Sequence, residues 1–440
     1  MRIDQLTLKN FRCFDERTFA FHPQFTLVVG VNGTGKTALL DALATALSTW
    51  FIGLSTAPRP RPVDNADVRM HCEQTEAGYR YPEHWPVRVD AIGRVPGCPE
   101  PLVWAREKVK AGGNTRYGEA GELLAVARAA DTALKESEQP ILPLLGYYGA
   151  GRLWMQRPQD LRRESRVNNP EKLVGRRDLK TDWSYRGALE PVIPINQTMR
   201  WFAREAWATF QNGQETTGLK VVREAILSCV EGAGGLFFEP KLGELVIQFE
   251  NGETQPFSKL SDGQRVMLAL VADIAQRACG LNPHLGIDAL KQTPGVVLVD
   301  ELDLHLHPRW QRRVIEDLRR TFPMLQFICT THSPFLIQSL RSGEELQMLE
   351  GQPLAQLGNK PLDEIAAGIM GVVQPQTSSR YAEMKGVAED YLQTLDQVAD
   401  SPQETLDQYM QQLADKVAPY ADNPAFQAVL ERKRIAKLGK

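Results

Sequence analysis

The eight-residue run GVNGTGKT, at positions 30–37, constrains the fold of this chain more than any other segment. It matches the pattern G-x-x-x-x-G-K-[ST], in which glycines let successive backbone N–H groups surround phosphate oxygens. The residues before it, FTLVV, predict a buried strand, and those after it, TALLDALATALSTW, predict a helix. Bound phosphates would therefore meet the N-terminus of a helix, where free N–H groups and the helix dipole favour anions.

The side chains of this loop have separate expected roles. Lys36 is expected to reach the β- and γ-phosphate oxygens, and the Thr37 hydroxyl is expected to bind Mg²⁺. The remaining loop residues that we expect to contact the nucleotide are Gly30, Asn32, Gly33, Thr34 and Gly35. A glycine-rich turn without a ligand is the alternative, and the flanking strand and helix argue against it. The sequence therefore predicts an α/β chain that binds ATP and Mg²⁺.

The composition excludes several other classes of protein. The 440 residues are 42% hydrophobic and 24% charged, which is ordinary for a globular chain of one large or two to three smaller domains. The apolar runs are far shorter than the roughly 20 residues that a membrane span needs. The N-terminus alternates like a strand, and we do not expect it to be a signal peptide. We therefore expect a cytoplasmic protein with no membrane contact.

Cysteine spacing and net charge limit the possible ligands. The six cysteines are scattered and form no C-x-x-C pair, which argues against a zinc site or a redox pair. The net charge of −3 means that contact with nucleic acid would require a local basic patch. Such a patch is present at 152–186, where ten Lys and Arg face five Asp and Glu with aromatic residues between them. A solvated surface loop is the alternative interpretation of this composition, so both a DNA contact and a solvated loop are compatible with the sequence.

A second, mainly apolar segment, VVLVD, ends in the carboxylate of Asp300, and the carboxylate of Glu301 follows directly. This segment predicts a strand of a parallel sheet that is buried on both faces. Asp300, at its end, is expected to hold the water shell of Mg²⁺, and Glu301 is expected to orient and deprotonate an attacking water. Neighbouring carboxylates at the end of a buried strand are costly unless a cation or a reaction needs them. A strand that simply reaches solvent is the alternative.

Two further segments complete the predicted site. In TTHS, after the apolar strand LQFIC, His332 is expected to contact the γ-phosphate or the attacking water. In LSDGQ, Ser261 is a good N-cap for the helix that follows, and with Gly263 it offers a second anion site. Because the first loop already holds one nucleotide, this second helix start predicts docking on the γ-phosphate of a partner chain.

Together these segments resemble the ATP-binding-cassette (ABC) ATPases. In that family GVNGTGKT is Walker A, LSDGQ the signature motif, VVLVDE Walker B, the stretch around Asp303 the D-loop, and His332 the switch histidine. The wording ELDLHLHP and LTLKNFRCF is similar to the RecF, SMC and Rad50 branch. With PLLGYYGAGRLW, the chain looks most similar to bacterial "predicted ATP-binding protein involved in virulence" ATPases, which are similar to the PtuA-type ATPase subunits of Septu and retron anti-phage systems.

The resemblance implies a head-to-tail homodimer, in which Lys36 of one subunit and Ser261 and Gly263 of the other hold each ATP. It also implies that the ATP state regulates an associated effector, an HNH-type nuclease, in anti-phage defence. We find no nuclease motif in this chain and expect a separate nuclease partner. Two alternatives remain: a RecF-like DNA-repair ATPase that binds DNA directly, and a non-catalytic nucleotide-sensing scaffold.

Three positions need comment against the family pattern. Asp262 replaces the usual glycine of the signature motif and adds a negative charge near a phosphate. Gln156 is our candidate for the Q-loop glutamine that contacts the metal. Arg12 resembles the arginine that reaches the nucleotide in Rad50-like heads, and a surface arginine at a strand end is the alternative.

The predicted fold is an α/β, ABC-type P-loop ATPase head with four parts. Residues 1–155 form an N-lobe with Walker A and a β-rich insertion, and residues 156–255 a basic loop with a short helical insertion. Residues 256–345 form a C-lobe with the signature, Walker B and the switch histidine, and residues 346–440 a helical segment. No heptad pattern lasts three repeats, so the insertion is not expected to be a long coiled coil.

Overall fold

A computed structural model describes most of the chain. The described residues are 1–75, 78–152, 184–350, 360–370, 378–398, 414, 418 and 424–438. The strands are β1 (Arg2–Phe11), β2 (Phe14–Ala20), β3 (Phe25–Val29), β4 (Arg69–Met70), β5 (Glu73–Thr75), β6 (Gly78–Arg80), β7 (Glu83–His84), β8 (Val87–Arg94), β9 (Leu102–Lys108), β10 (Leu144–Tyr148), β11 (Ala233–Glu239), β12 (Glu244–Phe249), β13 (Thr254–Pro256), β14 (Gly295–Val299), β15 (Leu325–Thr330) and β16 (Leu346–Met348). The α-helices are α1 (Lys36–Leu47), α2 (Thr49–Ile52), α3 (Gly121–Lys135), α4 (Ile195–Asn212), α5 (Thr217–Cys229), α6 (Asp262–Leu281), α7 (Ala289–Gln292), α8 (Pro308–Gln311), α9 (Val314–Thr321), α10 (Pro334–Gln338), α11 (Leu362–Gly368), α12 (Ser379–Val398) and α13 (Pro424–Leu438).

The centre of the fold is a parallel sheet in the order β10-β14-β15-β3-β16. Every residue of β3, β10, β14 and β15 is buried, as expected for strands covered on both faces. The predicted strands FTLVV, VVLVD and LQFIC are three neighbours in this sheet. Because the carboxyl ends of parallel strands meet at one edge, the loops after β3, β14 and β15 lie side by side there.

A second, antiparallel sheet in the order β2-β1-β8-β9 forms the N-terminal lobe. Helix α1 contacts both this sheet and the parallel sheet, so it is covered from two sides and nearly all of its residues are buried. The indole nitrogen of Trp104 on β9 donates a hydrogen bond to the carbonyl of Ala46, 3.0 Å away, and fixes the end of α1. These contacts fix α1, whose first residue, Lys36, directly follows the loop 30–35.

The segment between the two lobes contains helices α4 and α5, of 18 and 13 residues, followed by the small antiparallel sheet β11-β12-β13. Helix α5 packs along α6, the helix that follows the LSDGQ run. The predicted fold class, an α/β chain with a β-rich N-terminal lobe, a helical insertion and helices in the C-terminal part, is confirmed by this architecture.

The chain divides into two compact units, Met1–Ile365 and Ala366–Lys440. The second unit contains α12 and α13, and α13 begins at Pro424. No helix in the described part of the chain is long and apolar enough to cross a membrane. The division into four parts stays a prediction.

Candidate nucleotide-binding site

The loop between β3 and α1 has backbone conformations that its glycines permit. Gly33 and Gly35 have φ values of 85° and 99°, which residues with a Cβ atom adopt only with strain. A Cβ atom at Gly35 would also lie 2.4 Å from the Cys13 sulfur and 2.7 Å from the Phe14 ring. Only glycine fits at this position, for both a conformational and a steric reason.

Lys36 begins α1 and is directed back over the loop. Its ammonium donates hydrogen bonds to the carbonyl oxygens of Gly30 and Val31, at 2.8 and 3.0 Å. Burial lowers the pKa of Lys36, and the nearby carboxylates of Asp300 and Glu301 act against that shift. The lysine is thus a charged donor inside the curve of the loop, where phosphate oxygens would be bound.

A hydrogen bond joins Walker A to Walker B across the sheet. The Thr37 hydroxyl donates to Oδ2 of Asp300 at 2.8 Å, although the two residues are 263 positions apart in the sequence. The other oxygen of that carboxylate, Oδ1, accepts a 2.6 Å hydrogen bond from the Thr330 hydroxyl on β15. Mg²⁺ prefers hard oxygen ligands that a second shell orients, so Thr37 and Asp300 fit the ion. The third metal residue from the sequence, Gln156, lies outside the described residues.

The Thr330 hydroxyl also fixes the candidate base. It accepts a 2.7 Å hydrogen bond from the backbone N–H of Glu301, which has a left-handed φ of 49°. One buried hydroxyl therefore orients both the Asp300 carboxylate and the main chain of Glu301. Thr330 was not among the residues predicted from the sequence, and its only sequence signal was its place at the start of TTHS.

His332 follows β15 and lies between the loops after β14 and β3. Its backbone N–H donates to the Asp303 carboxylate at 3.3 Å, and the same oxygen accepts a 2.5 Å hydrogen bond from the Thr331 hydroxyl. The Asp303 side chain thus ties the D-loop to the segment of the switch histidine. Residues from Walker A, Walker B, the D-loop and TTHS meet at one sheet edge.

Arg152 is a second residue at this edge that was not predicted from the sequence. Its guanidinium lies under the same sheet edge and donates to the carbonyl oxygens of Asp300 and Glu301, at 2.8 and 3.3 Å. Burial lowers the pKa of Arg152 to about 10. The preceding letters YYGAG mark only the end of a strand and a turn, and no local pattern shows where this side chain points.

The signature segment forms the predicted helix start. Ser261 is the N-cap of α6, and its side chain and that of Gln264 form a reciprocal capping box. The Asp262 carboxylate is paired with Arg265, one turn further along the helix. A Cβ atom at Gly263 would lie 2.6 Å from the carbonyl oxygen of His305, so the helix start packs closely against the D-loop of its own chain.

Ser261 is exposed at this helix start. Within the described residues, no hydrogen bond joins it to the loop 30–37 of the same chain. The serine is therefore accessible to a second molecule, and its predicted contact with a partner's nucleotide stays a prediction.

Arg12 lies at the end of β1 with a left-handed φ of 50°. Its guanidinium donates to Asp41 on α1 at 2.6 Å and to Asp67 at 2.8 Å. Burial would lower the pKa of Arg12, but these two carboxylates outweigh it and the pKa is raised. Here Arg12 links the β-rich lobe to α1, and its contact with nucleotide stays a prediction.

Comparison with known proteins gives relatives over parts of the chain. Residues 5–190 match the family described as "AAA domain", and residues 157–338 match "AAA domain, putative AbiEii toxin, Type IV TA system". "Retron Vc95 probable ATPase" of Vibrio cholerae serotype O1 biovar El Tor is 38% identical over 136 residues, which are 30% of this chain and 25% of that protein. "Septu protein PtuA" of Bacillus mycoides is 38% identical over 109 residues, which are 25% of this chain and 14% of that protein.

The matches therefore span about a quarter or less of the length of these curated relatives. Among solved structures, the "SMC head domain from Thermotoga maritima" aligns with 79% of this chain and 94% of its own, at a TM-score of 0.41 and 17% identity. The predicted resemblance to ABC-type ATPases of the retron and Septu kind is confirmed by the family and sequence matches.

Proposed function

We propose that this chain is an ATPase of the ABC and SMC-like class that binds and hydrolyses Mg-ATP. The observation that carries the proposal is the 2.8 Å hydrogen bond between Thr37 and Asp300. It brings the metal-binding hydroxyl of Walker A and the carboxylate of Walker B to one point, with Lys36 and Glu301 as their immediate neighbours in the chain. This combination is what phosphoryl transfer to water requires.

Each group has a defined task in the proposed reaction. Backbone N–H groups of the loop and the Lys36 ammonium bind the β- and γ-phosphates. Mg²⁺, held by Thr37 and Asp300, would neutralise charge on the phosphate oxygens. The Glu301 carboxylate orients a water in line with the γ-phosphate and takes its proton, and His332 contacts the γ-phosphate from the neighbouring loop.

We further propose that two chains close head to tail around two nucleotides. Three features support this arrangement: the exposed helix start at Ser261, the free N–H groups that a helix N-terminus presents, and the close packing of Gly263 on the D-loop. Asp262 departs from the family pattern, and its negative charge would repel a phosphate. Pairing with Arg265 offsets that charge. Closure of the dimer would thus move the signature helix and the D-loop as one piece.

The proposed role of closure is to regulate an effector in anti-phage defence. This step is supported by the similarity to relatives named as retron and Septu proteins, and we propose an HNH-type nuclease as the partner chain. Purification of the chain with the product of the adjacent gene, with and without ATP, tests the step. The expected result is a stable complex whose stability changes with ATP, and the absence of any complex would count against it.

The hydrolytic role is tested by Glu301→Gln. We expect turnover to fall by roughly 10²–10⁴-fold, the usual contribution of a general base, while ATP binding is retained and ATP-bound dimers accumulate. Colorimetric phosphate release measures turnover, and light scattering after size-exclusion chromatography measures dimers. Glu138→Gln, at an exposed position, is the matched control. Unchanged hydrolysis in Glu301→Gln would reject Glu301 as the base.

The composite site is tested separately by Ser261→Arg. This change should abolish ATP-dependent dimers and leave ATP binding by the monomer intact, because Ser261 makes no described contact with its own loop. Ser258→Arg, three residues earlier and also exposed, is the matched control. Dimers that persist in Ser261→Arg would reject the head-to-tail arrangement.

A further inference from the structure

Arg152 is buried, with 1% of its surface exposed, and it follows β10 at the same sheet edge as the carboxylates. Its guanidinium donates to three main-chain carbonyls: Asp300 at 2.8 Å, Glu301 at 3.3 Å and its own neighbour Gly149 at 3.3 Å. A buried charged group is costly unless it is hydrogen-bonded, and charge-assisted hydrogen bonds are strong. The arginine thus binds the backbone of the two Walker B residues and leaves their side chains free.

The backbone that Arg152 holds has an uncommon conformation. Glu301 has a φ of 49°, a left-handed value that residues with a Cβ atom adopt only where the surroundings enforce it. Its N–H is held by the Thr330 hydroxyl at 2.7 Å, and the N–H of Leu302 is held by the Thr330 carbonyl at 2.9 Å. The contact of Arg152 with the Glu301 carbonyl fixes the third side of this turn. Together these contacts set the direction of the Glu301 side chain.

Arg152 is itself firmly placed. Its backbone N–H donates to Gly149, and its carbonyl accepts a 2.9 Å hydrogen bond from Ile193, just before α4. A Cβ atom at Gly149 would lie 2.7 Å from Pro191, so this turn is packed tightly against the segment that leads into the helical insertion. The main chain of Arg152 is therefore held by hydrogen bonds on both sides.

We propose that Arg152 is a positioning residue for ATP hydrolysis: it holds the main chain of Asp300 and Glu301 so that the Glu301 carboxylate points at the attacking water. The proposal rests on the proposed ATPase function. Arginine suits the task better than lysine, because its planar fork donates to two successive carbonyls at once, whereas an ammonium is a point charge on a flexible stem. Arg152 acts through Glu301 and does not contact phosphate.

The first test compares Arg152→Met and Arg152→Lys with the wild-type chain. We expect kcat to fall by about 10- to 100-fold in Arg152→Met, since small misplacements of catalytic groups have effects of this size, and the Kd for Mg-ATP to change by less than about 3-fold. Arg152→Lys keeps the positive charge and a hydrogen-bond donor group, so it should recover part of kcat. It also keeps the test decisive if the methionine variant does not fold. A parallel loss of ATP binding and kcat in both variants would overturn the proposal.

Arg106→Met is the matched control for loss of a buried arginine. Arg106 is also almost fully buried and also donates to a backbone carbonyl, that of Arg61, but it lies on β9 in the antiparallel sheet. It should leave kcat unchanged. A drop in kcat equal to that of Arg152→Met would show a general effect of buried-arginine loss and overturn the assignment.

A double-mutant cycle separates positioning from stability. If Arg152 acts through the Glu301 carboxylate, adding Arg152→Met to Glu301→Gln should cause little further loss of turnover. Full additivity of the two losses would show that Arg152 contributes by another route and would overturn the proposal.

Hydrogen exchange tests the anchor without relying on hydrolysis. In wild-type protein, the peptide that covers residues 298–306 should exchange slowly, and Arg152→Met should accelerate it while a peptide from β9 stays unchanged. Accelerated exchange in a chain that hydrolyses no ATP would leave the anchor standing and reject the ATPase function. Unchanged exchange at 298–306 would overturn the anchor itself.

Discussion

The buried hydroxyl of Thr330 offers a sharp test of how the site is held. Replacement by valine keeps the shape of the side chain and removes both of its hydrogen bonds, the 2.6 Å bond to Asp300 and the 2.7 Å bond from Glu301. Thr330 is fully buried, so water cannot readily replace the lost partner. Thr330→Ser is the matched control, because it keeps the hydroxyl and removes only the methyl group.

The magnitude follows from the two bonds. A hydrogen bond to a charged group contributes roughly 1.5–3 kcal/mol, and a buried N–H left without a partner costs roughly 1–3 kcal/mol. Thr330→Val should therefore lower the free energy of unfolding by about 2.5–6 kcal/mol. Thr330→Ser should lower it by about 1 kcal/mol, the value of one buried methylene-sized group.

Urea titration followed by tryptophan fluorescence measures the free energy of unfolding, and phosphate release measures turnover. Turnover should fall in the valine variant beyond what instability explains, because both the metal ligand and the base lose their orientation. A Thr330→Val chain that matches Thr330→Ser in stability and keeps wild-type turnover, at a temperature where both are folded, would contradict the role given to the Thr330 hydroxyl.

Two further predictions concern the phosphate loop. Gly35→Ala should lower the free energy of unfolding by about 2–5 kcal/mol, of which roughly 1–2 come from the left-handed backbone and roughly 1–3 from the clash of the new Cβ with Cys13 and Phe14. Gly33→Ala has open space around its Cβ and should show only the backbone contribution. Equal unfolding free energies for the two variants would contradict this. The Cys13 sulfur lies 3.8 Å from the Thr34 carbonyl oxygen of the loop, and partial burial raises the pKa of its thiol. Its alkylation by iodoacetamide should therefore rise with pH along a curve whose midpoint lies above that of an ordinary thiol. Mg-ATP should slow the alkylation at Cys13 and not at Cys72, as timed peptide mass spectrometry can show. Equal protection of both cysteines by Mg-ATP would contradict the placement of the Cys13 sulfur against the loop.

Local pattern was enough to predict much of the sheet. FTLVV, VVLVD and LQFIC are mostly apolar because strands of a parallel sheet are covered on both faces, and each contributes a buried strand. The helix after LSDGQ could be predicted equally well, since an N-cap serine and a glutamine three residues later form a capping box. These signals act within one element, so a single stretch of sequence contains them.

Contacts between elements that are far apart in the sequence could not be predicted from local pattern in the same way. Arg12 was singled out because it resembles the arginine that reaches the nucleotide in Rad50-like heads, but its two carboxylate partners, Asp41 and Asp67, lie 29 and 55 positions further along the chain. Gln156, chosen by family pattern, lies outside the described residues and stays a prediction. Nothing in the letters around Arg12 shows which charges will face it once the sheets are packed.

The residues of the chain alone specify the chemistry that it can offer: a glycine-rich loop for phosphates, a lysine and a threonine beside it, and paired carboxylates after a buried strand. The packed fold specifies which groups hold that chemistry in place, namely the Thr330 hydroxyl and the Arg152 guanidinium. Parallel strands that are far apart in sequence end at one common edge, so strand order and not neighbouring sequence sets the partners of a side chain there.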